Sequence, residues 1–144
     1  MTMTMSREDR FVLILAEVES TNNPYAWGDH GCACGRWQQH PSFYLSWGPT
    51  VGDFVCLVYG TDSNVDPSTL IHDDKYLELT WDKAYEIAVR KFVRAYLVRH
   101  PAVTDIAIAM DYHLHGQIRG TGWDIPYAAR WTEIEAKTTA IEEM

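Results

Sequence analysis

The stretch from Asn22 to Gly35 has no hydrophobic periodicity, and it interrupts a chain that is otherwise patterned as helix. Pro24, Gly28, Gly31 and Gly35 punctuate it, which predicts a shaped loop or a small irregular β element. Before it, Ser6 and Asp9 have the spacing of a capping box, and Phe11, Ile14, Leu15 and Val18 follow at i, i+3, i+4, i+7. These residues predict a helix over about 7–20, stopped by S-T-N-N-P. After the stretch, Pro41 predicts a short helix through Trp47. Val51 to Tyr59 fits strand or helix equally, and Gly60 to Asp74 is rich in turn residues. A cap near Thr80 opens a helix from Trp81 to Arg99, with Tyr85, Ala88, Phe92 and Tyr96 on one face. Pro101 is read as the start of another, carrying Val103, Ile106, Ala107 and Met110 and ending near Gly116. A final amphipathic helix is predicted over about 126–142. The expected class is α+β, predominantly helical: one domain over residues 1–144, with 1–5 disordered and no internal repeat.

Composition narrows the partners. A chain of 144 residues that is 47% hydrophobic can bury a core without staples. Twenty acidic residues against 12 basic give a charge of −8, which argues against nucleic acid as a partner. Six Trp and eight Tyr are too many for a disordered acidic tail. The apolar run Phe11 to Ala16 is shorter than the roughly 7–15 residues of a secretory core. It is also far below the roughly 18 of a membrane span, so neither a signal peptide nor membrane insertion is expected. Cys32, Cys34 and Cys56 make an odd count, for which reduced thiols are the default reading.

The residues with chemical potential concentrate in Glu19 to Pro41. One carboxylate, Glu19, ends a helix, and another, Asp29, follows in the glycine-punctuated loop. Such a pair divides acid and base roles when the two environments differ. The C-terminal end of a helix is the negative pole of its macrodipole, which disfavours an ionised carboxyl. Leu15 and Val12 precede Glu19 by four and seven residues and partly surround it with hydrocarbon. Both effects favour the protonated form a general acid needs. Tyr25, Trp27, Trp37 and Trp47 offer flat faces for sugar rings, with core packing the competing use of each.

Glu19-Ser20 at a helix end, followed by G-D-x-G-x-x-x-G-x-W-Q from Gly28 to Gln38, resembles the lysozyme-like superfamily. The pattern is similar to that of goose-type lysozymes and soluble-type lytic transglycosylases, including bacteriophage versions. The resemblance is densest over about residues 11–41 and looser over 81–116. It implies a lysozyme-like fold and a muramidase acting on the β-1,4 bond between N-acetylmuramic acid and N-acetylglucosamine of peptidoglycan strands. Glu19 would be the general acid, and Gln38 would line the sugar cleft, with Gln39 or His40 in that role if the loop runs out of register. Ala109 to Gly116, A-M-D-Y-H-L-H-G, lies where the family has a Tyr-Asn-x-Gly-like turn. Tyr112 matches its tyrosine, and His113 stands where Asn is usual. Asp29 matches the goose-type aspartate that orients or deprotonates water, which points to inverting hydrolysis. The alternative is lytic transglycosylation, in which the sugar's own C6 hydroxyl closes a 1,6-anhydro ring. A monomer without cofactors is implied, made in the host cytoplasm. It would be released through a holin as an endolysin or carried on the virion.

Two other readings compete. His30, Cys32, Cys34 and His40 form H-x-C-x-C-x5-H, ligand types that zinc accepts. The C-x-C spacing is tighter than usual, and small buried fillers are the favoured reading of the two cysteines, so no metal is expected. His113 and His115, two apart on a helix, point away from each other and do not share an ion. A domain that only binds glycan, or a structural virion component, is the non-enzymatic alternative.

A charge of −8 sets the protein against cell walls rich in anionic polymers. Wall-degrading activity is therefore expected to rise from low to moderate salt as the repulsion is screened. Turbidity clearance measured across a salt series checks this, and a monotonic fall from the lowest salt would contradict it.

Overall fold

The structure, a computed structural model, describes residues 5–48 and 81–142. The order of elements is α1 (Arg7–Ser20), β1 (Trp27–Gly28), a 3-10 turn (Asp29–Gly31), β2 (Ala33–Cys34), α2 (Pro41–Trp47), α3 (Trp81–Arg99), α4 (Asp105–Leu114) and α5 (Ile125–Glu142). The architecture is α+β and predominantly helical, as expected. The β element is a two-stranded antiparallel pair with Trp27 opposite Cys34 and Gly28 opposite Ala33. The readings of 51–59, 60–74, the Thr80 cap, Cys56 and residues 1–4 lie outside the described residues. No helix among the described residues is long and apolar enough to cross a membrane.

α1 forms as its sequence dictates. Ser6 accepts from the Asp9 amide at 3.1 Å, and Phe11, Ile14, Leu15 and Val18 are all buried. Its ridge packs on α5, where the Phe11 and Trp131 rings lie 5.3 Å apart. Tyr85, Ala88, Phe92 and Tyr96 of α3 face the same core. Between α2, α3 and α4 sits an aromatic knot in which Phe43 meets Tyr112 at 4.9 Å and Phe92 at 5.6 Å, both edge-on. Edge-to-face contacts of this kind add to the burial of the rings themselves.

One boundary differs from the sequence reading. Pro101 lies in a turn rather than at a helix start, with the Val103 amide bonded to the His100 carbonyl, and α4 begins at Asp105. Arg7 explains the shift: its guanidinium takes the Val103 carbonyl at 2.6 Å and the Asp105 carboxylate at 2.7 Å, holding the connection extended up to Thr104. α5 starts at Ile125 because Asp124 caps it, its carboxylate accepting from the Tyr127 amide at 3.1 Å.

Asp111 is the one buried acid among the described residues. Its Oδ2 accepts from the Tyr96 hydroxyl at 2.8 Å and from the amides of Arg119 and Gly120 at 2.9 and 2.7 Å. Burial, then the neighbouring Asp111 carboxylate, push the Tyr96 phenol up to about 12. These bonds fold the segment after α4 back on the helix, and so set where Asp124 begins α5. Asp111→Ala is expected to cost about 3 kcal/mol, since two amides and a phenol lose their acceptor together. Urea unfolding of wild type and variant measures it.

Candidate functional site

α1 ends in a left-handed turn. Thr21 and Asn22 have φ of 57° and 58°, and their amides return to the carbonyls of Glu17 and Ala16. Arg130 of α5 closes over the same end, donating to the Val18 carbonyl at 3.0 Å and the Glu17 carbonyl at 3.2 Å. The helix pole beside Glu19 is therefore covered by the Arg130 guanidinium, a partner the sequence did not point to. Ser20 ties the end to the loop by donating to the Arg36 carbonyl at 2.7 Å.

Glu19 projects from this end into a cleft of about 420 Å³, its side chain only 10% exposed. Asp29, Gln38, Gln39, His40, Phe43, Tyr112, His113 and His115 also border the cleft. The Tyr127 hydroxyl donates to Glu19 Oε2 at 2.7 Å. His113 Nδ1 lies 3.5 Å from the same oxygen, and its Nε2 is 3.3 Å from Asp124 Oδ2. The His113 and Tyr127 rings stack at 3.9 Å, tilted by 13°. The hydrogen bond to Glu19 raises the His113 pKa against an opposing effect of burial, and Asp124 adds to the rise. Burial pushes the Tyr127 and Tyr112 phenols well above their ordinary range, and the Glu19 charge reinforces both.

Asp29 stands at the exposed lip of the cleft. It and His30 are left-handed, with φ of 50° and 57°. Its carboxylate is held by His40 Nε2 at 3.0 Å. The loop is braced from within by Gln38, whose amide donates to the carbonyls of Gly35 and Ala26 at 2.9 and 3.2 Å. Glycine at 28 leaves room for this brace, because a Cβ there would stand 2.2 Å from Gln38 Oε1 and push the Gln38 amide aside. Gln38 therefore lines the cleft with its amide N–H groups already turned inward. Gln39, whose amide donates to the Tyr85 carbonyl at 2.7 Å, is buried.

Several sequence-predicted site residues fall elsewhere. Trp37 is buried, and its indole donates to the Val12 carbonyl at 2.9 Å, so it is core and not a sugar platform. Trp27 packs against the core and Tyr25 is exposed; neither borders the cleft. Trp47 packs against the aromatic knot and donates to the Gly116 carbonyl at 3.4 Å. Tyr112 does border the cleft, but its hydroxyl is committed to the Trp37 carbonyl. The reading of reduced cysteines is overturned at Cys34, which is disulfide-bonded, and the reading of both as small buried fillers fails at Cys32, which is free and exposed. Tyr85 donates to the Cys34 sulfur at 2.9 Å. With that sulfur in a disulfide and His40 on Asp29, the H-x-C-x-C-x5-H ligand set is not assembled. No cluster of three potential metal ligands occurs among the described residues. His115 turns to the Thr121 carbonyl at 2.7 Å, away from the pair His113 makes.

Asp124 and Tyr127 belong to the site and escaped the sequence reading. An Asp two residues before Pro126 carried a cap signal, but nothing in the spacing connected Tyr127 to a glutamate 108 positions earlier. No family model, curated protein or solved structure matches the chain.

The raised His113 pKa fixes the sign of a stability effect. A histidine raised above 6.5 on folding contributes stability in full below that value and loses it as pH climbs through the folded one. The stability advantage of wild type over His113→Gln is expected to be largest near about pH 6 and to shrink toward about pH 9. Urea titrations across that range test it.

Proposed function

We propose that this chain is a peptidoglycan-degrading muramidase with a lysozyme-like fold, in which Glu19 is the general acid at the MurNAc-β-1,4-GlcNAc bond. The observation that carries the reading is a nearly covered carboxyl at a helix end, opening on a polar cleft and held from behind by a tyrosine and a histidine. A glycosidic oxygen needs a proton delivered at a fixed point, away from competing water. The order of elements agrees with the family pattern: a helix ending in Glu19-Ser20, a glycine-braced loop with Asp29 at its lip, then a helix bringing Tyr112 to the cleft.

Asp29 is the base in the hydrolytic course. Its carboxylate lies on the same cleft as Glu19, and His40 orients one of its oxygens. An inverting hydrolase uses a second carboxylate, roughly 6.5–9.5 Å from the acid, to draw a proton from water attacking the opposite face. Lytic transglycosylation is the second reading. It is favoured by the commitment of that Asp29 oxygen to His40, since an intramolecular C6 hydroxyl needs no such base. The aromatic surface first assigned to sugar stacking plays little part, because Trp37 is buried, Trp47 packs half-buried against the core, and neither borders the cleft. Selectivity rests on the polar lining.

Digestion of purified peptidoglycan with wild type and Glu19→Gln, followed by mass analysis of the products, tests the reading. Reducing muropeptides from wild type are expected, with a loss of at least about 100-fold in the variant. Anhydromuropeptides as the main product would turn the assignment to transglycosylation. Full activity in Glu19→Gln would move the acid elsewhere.

A further inference from the structure

His113 stands between two carboxylates, 3.5 Å from Glu19 through Nδ1 and 3.3 Å from Asp124 through Nε2. A neutral imidazole has a single N–H and serves only one of them, whereas an imidazolium donates to both. The remaining neighbours favour the cation as well. The Tyr127 ring lies flat against the imidazole at 3.9 Å, an arrangement that attracts positive charge. Among the described residues, the groups facing His113 are Glu19 from α1 and Asp124 with Tyr127 from α5; Tyr112 precedes it on its own helix. None of these is a cation.

Among the described residues, both polar contacts to the Glu19 carboxylate fall on one oxygen. The Tyr127 hydroxyl and His113 Nδ1 converge on Oε2. An oxygen that receives two donors acts as the carbonyl-type acceptor of a carboxylic acid, and the acid's own proton is then carried on the other oxygen. We propose that His113, as an imidazolium clamped by Asp124, is a positioning residue that with Tyr127 directs the acidic proton of Glu19 onto Oε1 and stabilises the carboxylate left after its transfer. This rests on the reading of Glu19 as the acid. In the step itself, the Oε1–H bond breaks and its proton goes to the glycosidic oxygen as the bond to the anomeric carbon opens. Glu19 becomes an anion facing two donors already in place. The imidazolium keeps both its protons throughout.

The arrangement has a definite signature. A cation beside the carboxyl speeds proton delivery but also favours the ionised form, so its removal lowers the rate while extending activity to higher pH. His113→Gln is expected to lose roughly 10- to 100-fold in kcat on soluble peptidoglycan fragments, with little change in KM, and its alkaline limb should move upward. Asp124→Asn retains an oxygen to cap the Tyr127 amide, so it keeps α5 intact while weakening the clamp, and should show the same trend to a smaller degree. Imidazole NMR without substrate provides a readout independent of activity. The His113 midpoint should stand above the ordinary histidine range in wild type and fall in both Glu19→Gln and Asp124→Asn. An unshifted midpoint, or one indifferent to both variants, would overturn the clamp. An intact titration shift with a His113→Gln profile identical to wild type would overturn its role in proton delivery. An intact shift in a wild type that cleaves no peptidoglycan would refute the function proposed above while leaving the clamp standing.

Discussion

Helix α5 lies against α1 along the contact between Phe11 and Trp131, and that buried contact fixes the reach of the side chains around it. Arg130, next to Trp131, covers the carbonyls of Glu17 and Val18. Tyr127, one helical turn earlier, meets Glu19. Asp124, at the start of the same helix, meets His113. A rotation of α5 about its axis would break all three relations together. The cleft is thus a by-product of core packing: large side chains set the register, and polar side chains on the neighbouring face are delivered by it.

The opposite wall is made differently. Between α1 and α2 there are two two-residue strands and a three-residue 3-10 turn, too short to impose their own geometry. All five left-handed non-glycine residues among the described residues fall here: Thr21, Asn22, Asp29, His30 and Gln38. Each such conformation costs on the order of 1 kcal/mol. Offsetting bonds come from side chains, with Gln38 bracing the loop internally and Arg36 joining Asn22 to Asp82 of α3. The left-handed turn at Asp29 and His30 sets this carboxylate on the exposed lip of the cleft, beside His40.

Much of the scaffold could be read from the residues because it depends on local rules. The Ser6 cap, the stripe from Phe11 to Val18 and the face from Tyr85 to Tyr96 each follow from short-range spacing, and each is where the pattern put it. Pro101 misled because a proline is equally at home in a turn, and the deciding partner, Arg7, lies at the other end of the chain. Glu19 stood out through its position at a helix end. Trp37 did not reveal its role, since a tryptophan near a glycine-rich loop serves a core or a ligand equally well until its indole finds an acceptor. The clamp around His113 was invisible for a deeper reason. Its partners come from α1 and from the start of α5, far apart in sequence, and no periodicity encodes which side chains meet once helices pack.

That separation in sequence has a consequence for when the protein works. Glu19 lies 108 positions from Tyr127, and Arg10 near the start bonds Glu142 near the end. An emerging chain can form α1 and the braced loop early, because their contacts are local. It cannot complete the surroundings of Glu19 until α5 has left the ribosome and docked. Nascent and partly folded copies would therefore lack the finished surroundings of Glu19, whose assembly coincides with closure of the whole core. The long loop that must close to build the site acts as an intrinsic timer on its competence.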